Sequence, residues 1–266
     1  MQKIWMENLG SEVEFAENLE LFRPLGDREL REQGEIIVDS EKVVSRFLQA
    51  GGKVRHLLCP SSVLPKLDEL IEGSLESLVD HAYIASKKQM ETITGYRLHH
   101  GVIARGMRPK DTPLAALGPK IMVLNGVCAA ENVGAIVRNC EAFGFDSILL
   151  DDEACSPFVR RAIRCSMGSA FRVKVHHSND LPASLGELAA SGYRLIGTAN
   201  ESGSVTLDSC EPAGSVAVII GSEGHGMSDG VRGLCHQVVR IPLSQNIDSL
   251  NAAVAAGIVC HFFSDF

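Results

Sequence analysis

The sequence predicts an α/β protein built on a mainly parallel sheet, preceded by a second, smaller α/β unit. Three observations carry this. Beyond residue 120, short continuous apolar runs alternate with helical patterns, as in a sheet buried on both faces. Residues 106–120 contain Gly106, Pro109, Asp111, Thr112, Pro113, Gly118 and Pro119, a density of breakers that marks an interdomain linker. The 266 residues, 45% hydrophobic and 22% charged, suffice for one large or two modest domains with a real core. The domains are placed at 1–112 and 113–266.

The elements follow in order. Residues 7–33 read as a polar helix carrying Leu9, Val13, Phe15, Ala16, Leu19 and Phe22, broken by Pro24 and Gly26. Glu35–Asp39 is a strand. Ser40–Ala50 is a helix with Val43, Val44, Phe47 and Leu48 at helical spacing, stopped by Gly51-Gly52. Val54–Cys59 is a strand, and a helix follows around 64–71. Ala82–Ala85 and Gly101–Ala104 complete the small unit. In the larger one, strands are expected at 121–124, 147–150, 171–175, 194–198, 215–220 and 237–241. Helices are expected near 133–143, 157–166, 181–191 and 226–234, with a last one from Ser249 to Phe263.

Composition excludes several classes. No apolar run approaches the ~18 residues of a membrane span, and the first residues show no signal-peptide stretch, so a cytoplasmic protein is expected. The eight cysteines include no C-x-x-C pair, and the nine histidines no H-E-x-x-H, so nothing calls for a metal. The net charge of −8 is unevenly spread. Residues 1–41 hold eleven acidic and four basic residues, a net −7, leaving −1 for the rest. Basic residues gather at Lys87, Lys88, Arg97, Arg105, Arg108 and Lys110, and again at Arg160, Arg161, Arg164, Arg172 and Lys174. Such clusters suit phosphates, though each alone also reads as a solvated face.

Ligands in parallel sheets bind beyond the carboxyl ends of the strands. Three loops there stand out: 125–139, 221–228 and 242–251. Arg138 lies roughly opposite the apolar stripe of Val133, Ile136, Val137, Cys140 and Phe143. It is either a surface arginine or a cation placed to meet a phosphate. Gly221-Ser-Glu223-Gly224-His-Gly226 is either a tight turn or a backbone that approaches a ligand, with Glu223 as acceptor. The 249–263 helix is apolar almost all round, hence buried in a core or an interface. Ser249 is its expected N-cap, and Asn251, a poor helix former, is better explained by a task for its side chain.

Together these segments resemble the three motifs of the SpoU (TrmH-type) RNA 2′-O-ribose methyltransferases of the SPOUT superfamily. The first runs Asn132-Val-Gly134-Ala-Ile-Val-Arg138 into Ala142-Phe143-Gly144. The second is Ile220-Gly221-Ser-Glu223-Gly224-His-Gly226-Met-Ser. The third is Ile241-Pro242 with Ser249-Leu250-Asn251 and Ala255-Ala256-Gly257. Arg164-Cys-Ser166-Met-Gly168 resembles the segment between the first two. The N-terminal part resembles the family's small RNA substrate-binding domain. Family members often show Val-Glu-Gly where this chain has Val38-Asp39-Ser40, and Pro-Gln-Gly where it has His99-His100-Gly101.

The resemblance implies a trefoil-knotted SPOUT sheet, a homodimer and S-adenosyl-L-methionine as cofactor. The cofactor contacts would come from Thr198, Ala199, Asn200, Gly221, Ile241, Leu243 and Leu250. The reaction would move a methyl group to a ribose 2′-hydroxyl of rRNA or tRNA. Arg138 would bind the neighbouring phosphate and orient the hydroxyl. Asn132, Glu223, Ser249 and Asn251 would hold substrate, loop and Arg138 in register. The alternative is a non-catalytic RNA-binding protein of the same fold. A nucleotide-binding oxidoreductase would need a glycine fingerprint that the chain lacks.

Overall fold

The computed structural model describes residues 1–5, 21–22, 26–71, 73–94, 101–201, 203–211, 214–244 and 247–264. Most of the leader helix expected over 7–33, and His99 and His100, lie outside the described residues. The described helices are α1 (Asp27–Glu32), α2 (Glu41–Gln49), α3 (Val63–Glu69), α4 (Leu75–Leu78), α5 (Lys87–Thr94), α6 (Ala130–Ala142), α7 (Arg160–Cys165), α8 (Leu181–Ala190), α9 (Asp229–Arg232) and α10 (Ala252–Phe262). The chain divides into two compact units. One is Met1–Pro109 with Phe158–Phe171; the other is Lys110–Pro157 with Arg172–Phe266.

The first unit holds a five-stranded sheet. Its strands are β1 (Gln2–Trp5), β2 (Glu35–Asp39), β3 (Val54–Cys59), β4 (Val79–Ile84) and β5 (Ile103–Met107), in the order β1-β4-β3-β5-β2. β1, β4 and β3 run parallel, and β5 runs antiparallel to both β3 and β2. Val43, Val44, Phe47 and Leu48 of α2 are buried, as their spacing predicts. Phe22, Leu58, Tyr83, Met90 and Ile103 pack in a separate cluster. Residues 158–171 join this unit through named contacts. Arg160 forks onto Asp39 at 2.6 and 3.1 Å, Arg46 donates to the Met167 carbonyl at 2.6 Å, and the Phe47 and Phe171 rings lie 4.7 Å apart. Ser40, at the start of α2, holds φ 79° and ψ 145°, a region glycine favours.

The second unit is built on a seven-stranded sheet with every neighbouring pair parallel. Its strands are β6 (Lys120–Asn125), β7 (Ser147–Leu150), β8 (Lys174–His177), β9 (Arg194–Thr198), β10 (Val205–Thr206), β11 (Val216–Gly221) and β12 (Gln237–Arg240). Their order is β10-β12-β9-β11-β6-β7-β8. Leu181, Leu185 and Leu188 of α8 cover one face, against Ile121, Val123, Ala217 and Ile219. Alternate residues Met122, Leu124, Val218 and Ile220 are equally buried and point the other way. α6 and α10 pack against each other, and Val133, Ile136 and Val137 of the first and Ala256 and Val259 of the second are buried.

Two expectations are corrected. The strand placed at 171–175 lies at Lys174–His177, and Ser169–Phe171 is a 3₁₀ turn. Met167 and Gly168, at φ 53° and 86°, end α7 in the left-handed region, and pairing begins where Lys174 donates to the Asp146 carbonyl at 2.8 Å. The last helix starts at Ala252, with Asn251 and not Ser249 as its cap.

Candidate functional site

β6 and β11 pair in register, with Leu124 opposite Ile220 and Asn125 opposite Gly221. The loops leaving them therefore emerge side by side at the carboxyl end of the sheet. The first feeds α6, and Asn132 sits in its opening turn. The second carries Glu223. The third segment, after β12, ends at Asn251.

Three predicted residues meet. Asn251 Oδ1 accepts from the Ala253 and Val254 amides at 3.0 and 3.3 Å, capping α10. That contact leaves its NH₂ group to donate to Asn132 Oδ1 at 2.9 Å. The Asn132 NH₂ group in turn donates to a Glu223 carboxylate oxygen. Each amide orientation is dictated by the next, since a capping oxygen cannot donate and a carboxylate cannot either. The result is a chain of side chains, Glu223–Asn132–Asn251, linking all three segments.

Arg138 and Ser249 stand apart from it. Arg138 lies six residues past Asn132, about 9 Å along α6 and about 120° around it. It is exposed, and among the described residues it has no hydrogen-bond or ion-pair partner. Ser249 is exposed and makes no hydrogen bond among the described residues.

The residues expected around a cofactor tie the loops together at the ends of β9, β11 and β12. Thr198 donates its hydroxyl to the Ile219 carbonyl at 2.9 Å, and the Ala199 amide donates to the Val239 carbonyl at 3.0 Å. Asn200 donates to the Asp248 carbonyl at 3.0 Å. At Gly221 a side chain would collide with backbone: its Cβ would lie 2.2 Å from the Gly226 carbonyl carbon. Ser222 and Gly226 close this turn with two mutual hydrogen bonds of 3.0 Å. Ile241, Leu243 and Leu250 are half-buried apolar side chains. A cavity of about 610 Å³ beside α9 and β12 is lined by Glu201, Arg232, Cys235 and His236 among others, and by none of the predicted site residues.

Sequence reasoning assigned no task to several residues. Asn139 follows Arg138 and donates to the Ala253 carbonyl at 2.9 Å, where a side chain on Gly257 would intrude. Asn125 and Asp151 bond to each other beneath the loops at 2.7 Å. The only signal for that pair was a polar residue at the end of each apolar strand. Cys140 and Cys260 touch where α6 meets α10. Burial and the Cys260 thiol push Cys140 well above the ordinary thiol range. Among the described residues, no group of His, Cys, Asp or Glu is arranged to hold a metal ion, and no helix is long and apolar enough to cross a membrane.

Comparison with known proteins gives consistent results. Residues 119–261 match the model of the SpoU rRNA methylase family. A Mycobacterium avium protein named as an uncharacterized tRNA/rRNA methyltransferase is 35% identical over 181 residues, 65% of this chain and 58% of the relative. The chain thus spans less than two thirds of that relative's length. Among solved structures, an AdoMet-bound rRNA methyltransferase from Sinorhizobium meliloti superposes with a TM-score of 0.80 at 22% identity, over 99% of this chain and 98% of that one. The SpoU methyltransferase AviRb from Streptomyces viridochromogenes, in complex with AdoMet, gives 0.77 at 22% identity, over 93% and 96%. At these identities the likeness is one of fold.

Proposed function

The chain belongs to the SpoU rRNA methylase family, and from that premise we propose that it is an S-adenosylmethionine-dependent RNA methyltransferase acting on a ribose 2′-hydroxyl of rRNA or tRNA. The observation that carries this reading is the Glu223–Asn132–Asn251 chain, which brings polar residues of three separate segments to one place. S-adenosylmethionine is named as bound in two of the similar structures, and the residues present here fit it. Gly221 lets backbone come close, and Ile241, Leu243 and Leu250 offer apolar cover for a flat base beside Thr198, Ala199 and Asn200. When bound, the cofactor supplies a methyl group on a sulfonium, already electrophilic.

The protein's task is then alignment and proton removal. Arg138, exposed on α6, binds the phosphate next to the target ribose and orients the hydroxyl. A guanidinium is a poor proton acceptor, so the leaving proton passes to a phosphate oxygen. Asn132, held at both ends of its amide, keeps the first and third segments in step with Glu223. Ser249, with its hydroxyl uncommitted among the described residues, contacts the RNA. The first unit, compact in its own right, binds the RNA outside the target nucleotide. A trefoil knot in the sheet of the second unit belongs to the same reading. So does a homodimer, supported by Val254 and Ile258, which are 52% and 39% exposed one turn apart on α10.

The test is methyl transfer from labelled S-adenosylmethionine to rRNA and tRNA pools lacking native modification, with ribose-methyl mapping. Label on a 2′-oxygen is expected. Label on a base would overturn the site of transfer. Absence of both label and cofactor binding would leave the non-catalytic RNA-binding protein. Arg138→Ala is expected to keep cofactor affinity and lose about 100-fold or more in kcat. Near wild-type transfer at saturating RNA would refute its role.

A further inference from the structure

Asn125 is the last residue of β6, and Asp151 is the first after β7. Asn125 is 7% exposed, so every polar atom of its amide needs a partner. Its NH₂ group donates to Asp151 Oδ2 at 2.7 Å. Its Oδ1 accepts from the Ser228 amide at 2.8 Å, at the end of the loop that carries Glu223. The other Asp151 oxygen accepts from the Gly126 amide at 3.1 Å and the Ala154 amide at 2.8 Å. Two side chains therefore join the loops leaving β6, β7 and β11. Asn132 and Glu223 ride on the first and last of these, and they meet only when those loops are in register.

We propose that Asn125 and Asp151 are positioning residues for methyl transfer, a clamp that sets the register of the site loops. This rests on the methyltransferase reading above. Neither residue is bonded to Arg138, Asn132, Glu223 or Asn251, so the pair acts through the loops and not on substrate.

The chemistry of the clamp is directional. Each group facing Asp151 is an N–H donor, which suits a carboxylate that only accepts. Asn125 presents one donor face and one acceptor face, each used. Asn125→Asp alone sets two carboxylates against each other. Asp151→Asn alone turns an NH₂ group toward other N–H groups in either of its orientations. The double exchange, Asn125→Asp with Asp151→Asn, restores all four bonds. The new aspartate accepts from Ser228 and from the new asparagine, whose oxygen accepts from Gly126 and Ala154.

The experiment compares the two single exchanges with the double exchange in the full chain. Each single variant is expected to lose about tenfold or more in kcat, with KM for RNA held within about twofold. The double exchange is expected to recover to within about threefold of the wild type. Amide hydrogen exchange at Gly126, Ala154 and Ser228 is read in parallel and does not depend on activity. These amides are expected to be slow in the wild type and the double exchange, and about tenfold or more faster in the single variants. Unchanged exchange in the single variants, or a double exchange no better than the worse single, would overturn the clamp. So would a kcat loss that follows the melting temperature alone. A wild-type protein with slow amides but no methyl transfer would overturn the enzymatic reading and the clamp's role in transfer.

Discussion

Replacing Gly221 by alanine tests how tightly the loop after β11 is closed. The added Cβ would lie 2.2 Å from the Gly226 carbonyl carbon, 2.4 Å from the Met227 nitrogen and 2.6 Å from the Gly226 oxygen. Comfortable carbon contacts begin near 3.5 Å, so the overlap exceeds about 1 Å. It falls on backbone, which cannot swing aside as a side chain can. Relief means opening the turn and giving up the two Ser222–Gly226 hydrogen bonds. Those are worth about 1 kcal/mol each, and the overpacking itself costs about 1–3 kcal/mol, for a loss of about 3–5 kcal/mol. At about 2–4 °C per kcal/mol, the melting temperature falls by about 6–20 °C. Two neighbouring glycines serve as controls. Gly226 has nothing within 4 Å of a new Cβ but sits at φ 69°, so Gly226→Ala costs only the left-handed penalty, about 1–2 kcal/mol. Gly224 has open space and no positive φ, so Gly224→Ala stays within about 0.5 kcal/mol. Calorimetry on the three variants should rank them 221, 226, 224, with cofactor affinity falling most for Gly221→Ala. A Gly221→Ala protein melting with Gly224→Ala would refute the reasoning.

Other outcomes follow from the same contacts. Asn251→Asp keeps the cap on α10 but cannot donate to Asn132, so thermal stability should hold while kcat falls. Asn251→Ala should lose about 1 kcal/mol of stability as well, and equal melting of the two variants would contradict the cap. Ser40→Gly should raise the stability of the first unit by about 1–2 kcal/mol in urea titrations, by removing a serine from φ 79°. Burial, then the charges of His81 and Arg105, pull the His56 imidazole below 6.5. The unfolded chain therefore binds more protons between the lowered value and 6.5, and stability rises with pH across that window. The first unit should weaken as pH falls below 6.5, and His56→Gln should flatten the dependence in urea titrations run from pH 5 to 8.

Much of this was legible in the sequence, for identifiable reasons. β6 and β11 are covered on both faces, so their apolar runs are unbroken and their ends are sharp. Asn251 stands out as a poor helix former in otherwise apolar text, while Asn132 and Glu223 gather as site residues through the motifs that resemble the SpoU family. Ser249 and Asn251 are both good caps by type, and only the backbone path settles that Asn251 turns its oxygen to the Ala253 amide. The serine at 40, where the family often has glycine, is one residue's difference in the sequence and a strained backbone in the fold. Asp151 gave no periodic signal, because its partners are the last residue of β6 and two loop amides, not an element face. Residues 158–171 read as a helix and part of a strand of the larger sheet. Their place depends on Asp39, Arg46 and Phe47, more than a hundred positions earlier, which no local pattern encodes.

That last segment has a consequence for how the chain is made. A ribosome delivers residues 1–109 first, yet the first unit lacks Arg160 for Asp39 and Phe171 for Phe47 until residue 171 has been synthesised. By then β6, α6 and β7 of the second unit already exist. The nascent first unit must wait, with part of its apolar surface uncovered, while its neighbour begins to form. Proteolysis or gene dissection between residues 109 and 110 would cut a place that reads as an interdomain linker in the sequence. It would release an N-terminal piece missing one of its own walls.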